Sequence, residues 1–192
     1  KVDDACLLLT EGAQVALAAI LVSQGRDDDA ILCDALVYPG LLQAAAALGR
    51  RLLPVDSDEH GMCPEALARL ARESSARLVY LNPTCQNPTA LTLPLQRREA
   101  LARALEREGL LAIEDDPYWH LAEDAPIPLA TLAPRHVFYV ATLSKVISPG
   151  LRTAFVHCPS AAHAEAMTAA LRATRLMGHP LVSALASQLL LD

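Results

Sequence analysis

Short apolar segments alternate along this chain with longer segments whose apolar residues recur every three or four positions. Strands are predicted over 30–36, 51–55, 77–81, 110–113, 137–141 and 154–157. Helices are predicted over 14–23, 41–48, 64–72, 94–108, 160–175 and 181–191. Strands that are apolar throughout are typical of a sheet buried on both faces. The alternation therefore predicts an α/β domain of three layers (αβα), with a mostly parallel sheet flanked by helices.

The composition is that of a folded domain. Hydrophobic residues make up 53% of the 192 residues and charged residues 20%, so a core can form without disulfides or a bound metal. We expect one domain over residues 1–192. The formal net charge of −6 argues against binding to DNA or to an anionic membrane through the overall field of this domain. No apolar run is long enough to span a bilayer.

The five cysteines are scattered and include no CxxC pair. We interpret them as reduced, mostly buried thiols of a cytoplasmic protein, and no cluster of ligands predicts a metal site. The sequence contains no GxGxxG, P-loop, GxSxG or HExxH motif. Nucleotide-binding, esterase and zinc-protease functions therefore lack their usual support.

The basic residues are nearly all arginines. Lysine occurs only at Lys1 and Lys145 among the 16 basic residues. Lys145 follows a predicted strand, and a lone interior lysine in such a chain is a candidate for chemistry rather than for surface charge.

Four short motifs carry the chemistry that the sequence indicates. They are TEGAQ at 10–14, QNPT at 86–89, EDDPY at 114–118, and TLSK at 142–145 with PGLR at 149–152. Ligands of parallel sheets bind beyond the carboxyl ends of the strands, where most of these motifs lie. Together they supply an amine, a carboxylate, a phenol, an amide and groups suited to a phosphate. An aldehyde cofactor with a pyridine ring and a phosphate requires this set.

In these motifs and their order the chain resembles the large domain of fold-type I, pyridoxal-5'-phosphate (PLP)-dependent aminotransferases of class I/II. Within that group it is most similar to the aminotransferase-like domains of MocR-type regulators, a branch of the GntR family. The resemblance covers nearly the whole chain.

The resemblance implies a role for each matching residue. Lys145 matches the lysine that forms a Schiff base with PLP, and Asp115 matches the carboxylate paired with the pyridine nitrogen. Tyr118 and Asn87 match the pair that hydrogen-bonds the ring oxygen. The phosphate contacts match Arg152, Thr142, Ser144, Gln14 and the backbone at Gly12 and Ala13. Tyr38 matches the aromatic residue that stacks on the ring. The catalytic set is thus Lys145, Asp115 and Tyr118.

Two expectations concern local structure at these motifs. Position 90 is alanine where the family commonly has glycine, which predicts that the turn after Thr89 does not require a positive φ. We also expect Lys145 to be buried near Arg152.

Other charged residues near the motifs have ordinary interpretations. Asp116 is a candidate turn or helix-cap residue. The arginines of the helix predicted over 94–108 are interpreted as a solvated face. They are Arg97, Arg98, Arg103 and Arg107.

The resemblance implies the effector-sensing domain of a MocR-type regulator, which binds PLP on Lys145 and senses an amino acid or amine. DNA would be contacted only through a separate N-terminal domain. A free-standing class I/II aminotransferase acting on an amino acid and a 2-oxo acid is the alternative, and a cofactor-free dimerisation scaffold is the second. A C-terminal small domain that binds the substrate carboxylate is expected outside these residues, so this piece is expected to be inactive alone. A homodimer with its site at the subunit interface, and no membrane partner, is also implied.

Overall fold

The computed structural model describes residues 3–25, 30–175 and 177–191. The strands are β1 Leu7–Thr10, β2 Ile31–Asp34, β3 Leu52–Val55, β4 Ser57–Asp58, β5 Gly61–Met62, β6 Leu78–Leu81, β7 Leu111–Asp115, β8 Val137–Thr142 and β9 Ala154–His157. The helices are α1 Ala13–Gln24, α2 Pro39–Ala47, α3 Pro64–Ser74, α4 Leu95–Glu108, α5 Leu129–Leu132, α6 Ala161–Thr174 and α7 Pro180–Leu191. Short 3-10 segments span Asp4–Cys6, Trp119–Leu121 and Pro149–Leu151.

Seven strands form one sheet in the order β1-β9-β8-β7-β6-β2-β3. The pairings from β8 to β3 are parallel, and only β9 runs against its two neighbours. The predicted α/β domain with a mostly parallel sheet is therefore confirmed.

Helices cover both faces of this sheet. Helices α1, α2 and α6 pack on one face, and α3, α4 and α5 on the other. Alternate residues of β6 face opposite sides of the sheet: Tyr80 packs in the core with α1, α2 and α6, and Val79 packs in the core with α3, α4 and α5. Burial on both faces explains why the strands are apolar throughout.

Several element boundaries differ from the sequence prediction. Helix α2 begins at Pro39 rather than Leu41, because proline fits the first position of a helix. Neither strand nor helix was predicted between β3 and α3, yet this segment contains the hairpin β4–β5, which turns where Asp58 Oδ1 accepts from the His60 N–H. Strand β1 and the single-turn helix α5 were not predicted.

Arg98 contradicts the prediction of a solvated arginine face. It is 0% exposed, and it donates 3.0 Å hydrogen bonds to the carbonyl oxygens of Leu93 and Pro83 and to Thr84 Oγ1. Its Nη1 lies 3.8 Å from Glu114 Oε1. Arg98 lies on the face of α4 that packs against the sheet. Its guanidinium therefore stabilises the loop before α4 through these hydrogen bonds.

All five cysteines are free thiols, and Cys6, Cys33 and Cys158 are buried. In the part of the chain that the structure describes, none of the helices combines the length and apolarity required to cross a membrane.

Candidate functional site

One cavity of about 170 Å³ lies at the carboxyl ends of the central strands, next to the first turns of α1 and α2. It is lined by all of the predicted site residues except Gly12, namely Ala13, Gln14, Tyr38, Asn87, Asp115, Tyr118, Thr142, Ser144, Lys145 and Arg152. Asn82, Pro117 and Pro149 complete the lining. The fold thus brings together residues from stretches more than a hundred positions apart in the chain, whereas their individual roles remain predictions.

Gly12 lies behind this lining, against the guanidinium of Arg152. A Cβ built on Gly12 would lie 3.1 Å from Arg152 Nη2, and the residue has a φ of +93°. Both facts favour glycine, because a side chain here would meet the guanidinium and strain the backbone.

Asp115, the last residue of β7, provides the negative charge of the cavity. It is 7% exposed, and burial raises the pKa of its carboxyl to about 6. Its Oδ2 accepts a 2.7 Å hydrogen bond from Tyr80 Oη. Its Oδ1 is buried and has no hydrogen-bond partner among the described residues. A buried carboxylate oxygen is stabilised by a hydrogen-bond donor from water or a ligand, and a protonated pyridine nitrogen is such a donor.

Other groups that line the cavity are suited to an anion. The first N–H groups of a helix have no partner within the helix, and α1 begins here at Ala13. Thr142 Oγ1 lies 3.0 Å from Ser144 Oγ, and the Arg152 side chain lines the same space. A helix N-terminus, two hydroxyls and a guanidinium together fit a phosphate.

The side chain of Gln14 is used within the protein. Its Nε2 donates a 2.8 Å hydrogen bond to the carbonyl oxygen of Gly40, which ties the first turn of α1 to α2. A Cβ on Gly40 would lie 2.2 Å from both Gln14 Oε1 and the Tyr38 ring. This bond uses one of the two N–H donors of the Gln14 amide.

Lys145 is exposed rather than buried, so the expectation of burial was wrong. Strand β8 ends at Thr142, and Lys145 lies in the turn beyond it. It nevertheless lines the cavity with Asp115 and Arg152.

The turn after Thr89 also differs from the expectation. Ala90 has a φ of +60°, so the prediction that this turn requires no positive φ was wrong. The turn closes through hydrogen bonds to Gln86, whose carbonyl oxygen accepts from the Ala90 N–H and whose Oε1 accepts from the Thr89 N–H. These bonds impose the conformation that glycine adopts at lower cost.

The two carboxylates beside Asp115, those of Glu114 and Asp116, do not line the cavity. Glu114 is buried and accepts 2.8 Å hydrogen bonds from the backbone N–H groups of Leu129 and Ala130. Burial raises its pKa to about 7. Burial also raises the pKa of Asp116 to about 6, while Thr84 and Arg98 act in the opposite direction. Glu114 thus caps helix α5, and Asp116 is buried outside the lining of the cavity.

Sequence reasoning missed Tyr80 and Asn82. Asn82 donates from Nδ2 to the carbonyl oxygen of Asp115 at 2.7 Å and accepts at Oδ1 from the Asn87 N–H at 2.8 Å. Both residues are polar groups in or directly after the apolar run LVYL. A polar group in a buried strand requires a partner, and that rule was the available signal.

Known proteins resemble this chain along most of its length. The family model described as aminotransferase class I and II matches residues 1–191. The HTH-type transcriptional regulator YdeF of Bacillus subtilis is 36% identical over 154 residues, which cover 80% of this chain and 33% of YdeF. The 2-aminoadipate transaminase of Thermus thermophilus is 35% identical over 167 residues, which cover 84% of this chain and 41% of the transaminase.

A solved structure shows the same fold. It is that of LysN, an alpha-aminoadipate aminotransferase from Thermus thermophilus, complexed with N-(5'-phosphopyridoxyl)-L-leucine. The TM-score is 0.91 at 31% identity, and the match covers 98% of this chain and 50% of the LysN chain.

The fold and the matched structures define a fold-type I, PLP-dependent domain. The chain belongs to the class I and II aminotransferase family. The family and the phosphopyridoxyl ligand of LysN indicate pyridoxal 5'-phosphate as the cofactor. Because the chain spans only 33% to 50% of these relatives, the activity, substrates and partners of a whole protein do not follow from the matches.

Proposed function

We propose that this chain is the PLP-binding, effector-sensing domain of a MocR-type transcriptional regulator, and that it senses an amino acid or amine. The observation that carries the proposal is the meeting of Lys145, Asp115 and Arg152 at one cavity. They supply an amine, a carboxylate and a guanidinium for the aldehyde, ring nitrogen and phosphate of the cofactor. The 36% identity to YdeF supports the regulatory setting.

The ring of the cofactor would be held by three side chains. When bound, PLP supplies an aldehyde that captures amines and a pyridine ring that accepts electron density. Lys145 would bind the aldehyde and move a proton at the amine's α-carbon. Asp115 would accept a hydrogen bond from the protonated ring nitrogen at Oδ1, while Tyr118 and Asn87 would donate to the ring oxygen.

The phosphate and the face of the ring would be held by other elements. The N–H groups at the start of α1, the hydroxyls of Thr142 and Ser144 and the Arg152 guanidinium would bind the phosphate. The ring of Tyr38, which lines the cavity, would cover one face of the pyridine.

Covalent labelling tests the cofactor site. We expect that incubation with PLP followed by borohydride reduction adds a pyridoxyl group at Lys145, located by mass spectrometry of peptides. Lys145→Arg keeps the charge but removes the nucleophilic amine, so it should abolish labelling. An adduct at Lys1, or none in the wild-type protein, would refute the assignment.

A free-standing aminotransferase is the second candidate, favoured by the TM-score of 0.91 to LysN and the 35% identity to the 2-aminoadipate transaminase. The intact protein that contains this chain separates the two. For a regulator we expect DNA binding that changes when an amine is added. Lys145→Ala should then keep DNA binding and lose the response. Sustained turnover of an amino acid with a 2-oxo acid, and no DNA binding, would establish the enzyme instead.

The proposal also includes the partners of the intact protein. DNA would be bound by a separate N-terminal domain, in keeping with the net charge of −6 here. Two copies would form a cytoplasmic homodimer with the cofactor site at their interface. Analytical ultracentrifugation of the intact protein should give a dimer, and a monomer with full PLP binding would contradict this part of the proposal.

A further inference from the structure

Tyr80 fixes the orientation of the carboxylate at the cofactor site. It is 1% exposed, and its Oη donates a 2.7 Å hydrogen bond to Asp115 Oδ2. Strands β6 and β7 are parallel neighbours in which Tyr80 lies opposite Ile113. The phenol therefore reaches a carboxylate two residues further along the next strand.

This hydrogen bond leaves the two carboxylate oxygens unequal. Oδ2 is occupied by Tyr80, whereas Oδ1 has no hydrogen-bond partner in the described part of the chain. Burial and the nearby Asp115 raise the pKa of Tyr80 well above its ordinary value of 10.0. The phenol thus stays protonated and remains a donor, so Oδ1 is the oxygen left for a ligand.

Asn82 connects Asp115 to Asn87 through hydrogen bonds of its side-chain amide. It is 6% exposed. Its Nδ2 donates to the carbonyl oxygen of Asp115 at 2.7 Å, and its Oδ1 accepts from the N–H of Asn87 at 2.8 Å. One side-chain amide thus bridges the end of β7 and the QNPT loop. No other side chain in the described residues is hydrogen-bonded to both.

We propose that Tyr80 and Asn82 are positioning residues of the cofactor site. Tyr80 turns the Asp115 carboxylate so that Oδ1 faces the ring nitrogen, and Asn82 sets the separation between Asp115 and Asn87. The inference rests on the proposed function, because it takes PLP as the ligand. Tyr80 acts on the cofactor through Asp115, and Asn82 acts through Asp115 and Asn87.

Tyr80→Phe tests the role of the phenol, because it removes one hydroxyl and keeps the ring that packs in the core. A hydrogen bond to an ionised carboxylate favours the charged form, so its loss should raise the pKa of Asp115 in the cofactor-free protein. Carboxyl-carbon NMR measures that pKa. PLP should bind about tenfold more weakly, as expected for a misplaced charge-assisted bond. Fluorescence quenching of Trp119, the single tryptophan, measures the dissociation constant.

Tyr139→Phe is the matched control. Tyr139 lies on β8, next to the strand of Asp115, and does not line the cavity. Its variant should leave both the pKa of Asp115 and the PLP dissociation constant unchanged. The other titratable groups around Asp115 are the same in both variants, namely Asp116 beside it and Tyr38, Tyr118, Lys145 and Arg152 at the cavity.

Asn82→Asp tests the bridge. It keeps an oxygen to accept from the Asn87 N–H but replaces the donor to the Asp115 carbonyl with a second acceptor. We expect PLP binding to weaken by about tenfold or more. Lys145 should still be labelled at saturating PLP, because the amine is not disturbed.

The outcomes separate this inference from the proposed function. If wild-type protein is labelled at Lys145 and Tyr80→Phe and Asn82→Asp bind PLP as tightly as wild type, the positioning roles are wrong while the function stands. If wild-type protein is never labelled, the proposed function fails. In that case an unchanged pKa of Asp115 in Tyr80→Phe would still overturn the orienting role, because that measurement needs no cofactor.

Discussion

Replacing Arg98 with methionine tests how much this buried arginine contributes to the free energy of unfolding. The guanidinium is 0% exposed and donates 3.0 Å hydrogen bonds to the carbonyl oxygens of Leu93 and Pro83 and to Thr84 Oγ1. It also lies 3.8 Å from the carboxylate of Glu114. Arg98→Met keeps much of the side-chain volume, removes these bonds, and leaves the carboxylate without its cation.

The size of the expected loss of stability follows from the Glu114 carboxylate, which loses its buried cation. Removing one partner of a buried ion pair costs about 3–5 kcal/mol when the other charge stays ionised. Burial already raises the pKa of Glu114 from 4.5 to about 7, and Arg98 works against that rise. The folded protein therefore holds this proton more tightly than the unfolded chain does. Stability from this group is present at low pH and is lost as the pH rises through about 7. Without Arg98 the pKa of Glu114 rises further, so the loss becomes larger and extends to higher pH.

We therefore expect Arg98→Met to lower the free energy of unfolding by about 3 kcal/mol above the pKa of Glu114, and by less below it. Urea denaturation followed by circular dichroism at two pH values, one on each side of that pKa, measures the difference. Arg103→Met is the control, since Arg103 is an exposed residue of the same helix, and it should change stability by less than about 0.5 kcal/mol. Equal losses in the two variants, or a loss from Arg98→Met that is independent of pH, would refute the reasoning.

Three further predictions concern the backbone and the charge of the site. Ala90→Gly should raise the free energy of unfolding by about 1 kcal/mol in thermal denaturation, because glycine adopts the φ of +60° without the cost that alanine bears; a lower melting temperature would contradict this. Gly12→Ala should weaken PLP binding about tenfold in a fluorescence titration, because the new Cβ would lie 3.1 Å from Arg152 Nη2 at a φ of +93°; unchanged affinity would count against the close approach. The pKa of Asp115 is raised from 3.8 to about 6, so the cofactor-free protein should lose stability as the pH rises through about 6. Asp115→Asn should reduce that loss, as measured by urea denaturation across the same pH range.

The sheet and most helices could be predicted because burial determines them locally. Strands such as β6 and β7 are apolar throughout, and a helix such as α4 shows the periodicity of one buried face. The hairpin β4–β5 has no such signal, since only Met62 among its partners is a buried apolar side chain. Its pairing depends on a turn formed by side-chain hydrogen bonds, which residue type alone does not specify.

The burial of Arg98 was indicated by a pattern in the sequence that was not used. The positions 98, 101, 102 and 105 lie on one face of α4, and the last three are buried apolar residues. An arginine at the first of these positions is therefore directed at the core, whereas Arg103 is not. The positive φ of Ala90 had no equivalent signal, because it results from hydrogen bonds to Gln86 rather than from the residue itself.

The antiparallel strand β9 explains why the lysine and the arginine share one cavity with the start of α1. Thr142 pairs with Ala154, and Ala154 pairs in turn with Thr10. The three residues form one row across the sheet, at the strand ends where β8 ends, β9 begins and β1 ends. Because β9 reverses direction, the connection over 143–153 stays at these strand ends, and it carries Lys145 and Arg152 together. A parallel crossover would have needed a helix there and would have separated the two cations. Motif order alone could not have revealed this, since it depends on the direction of a four-residue strand.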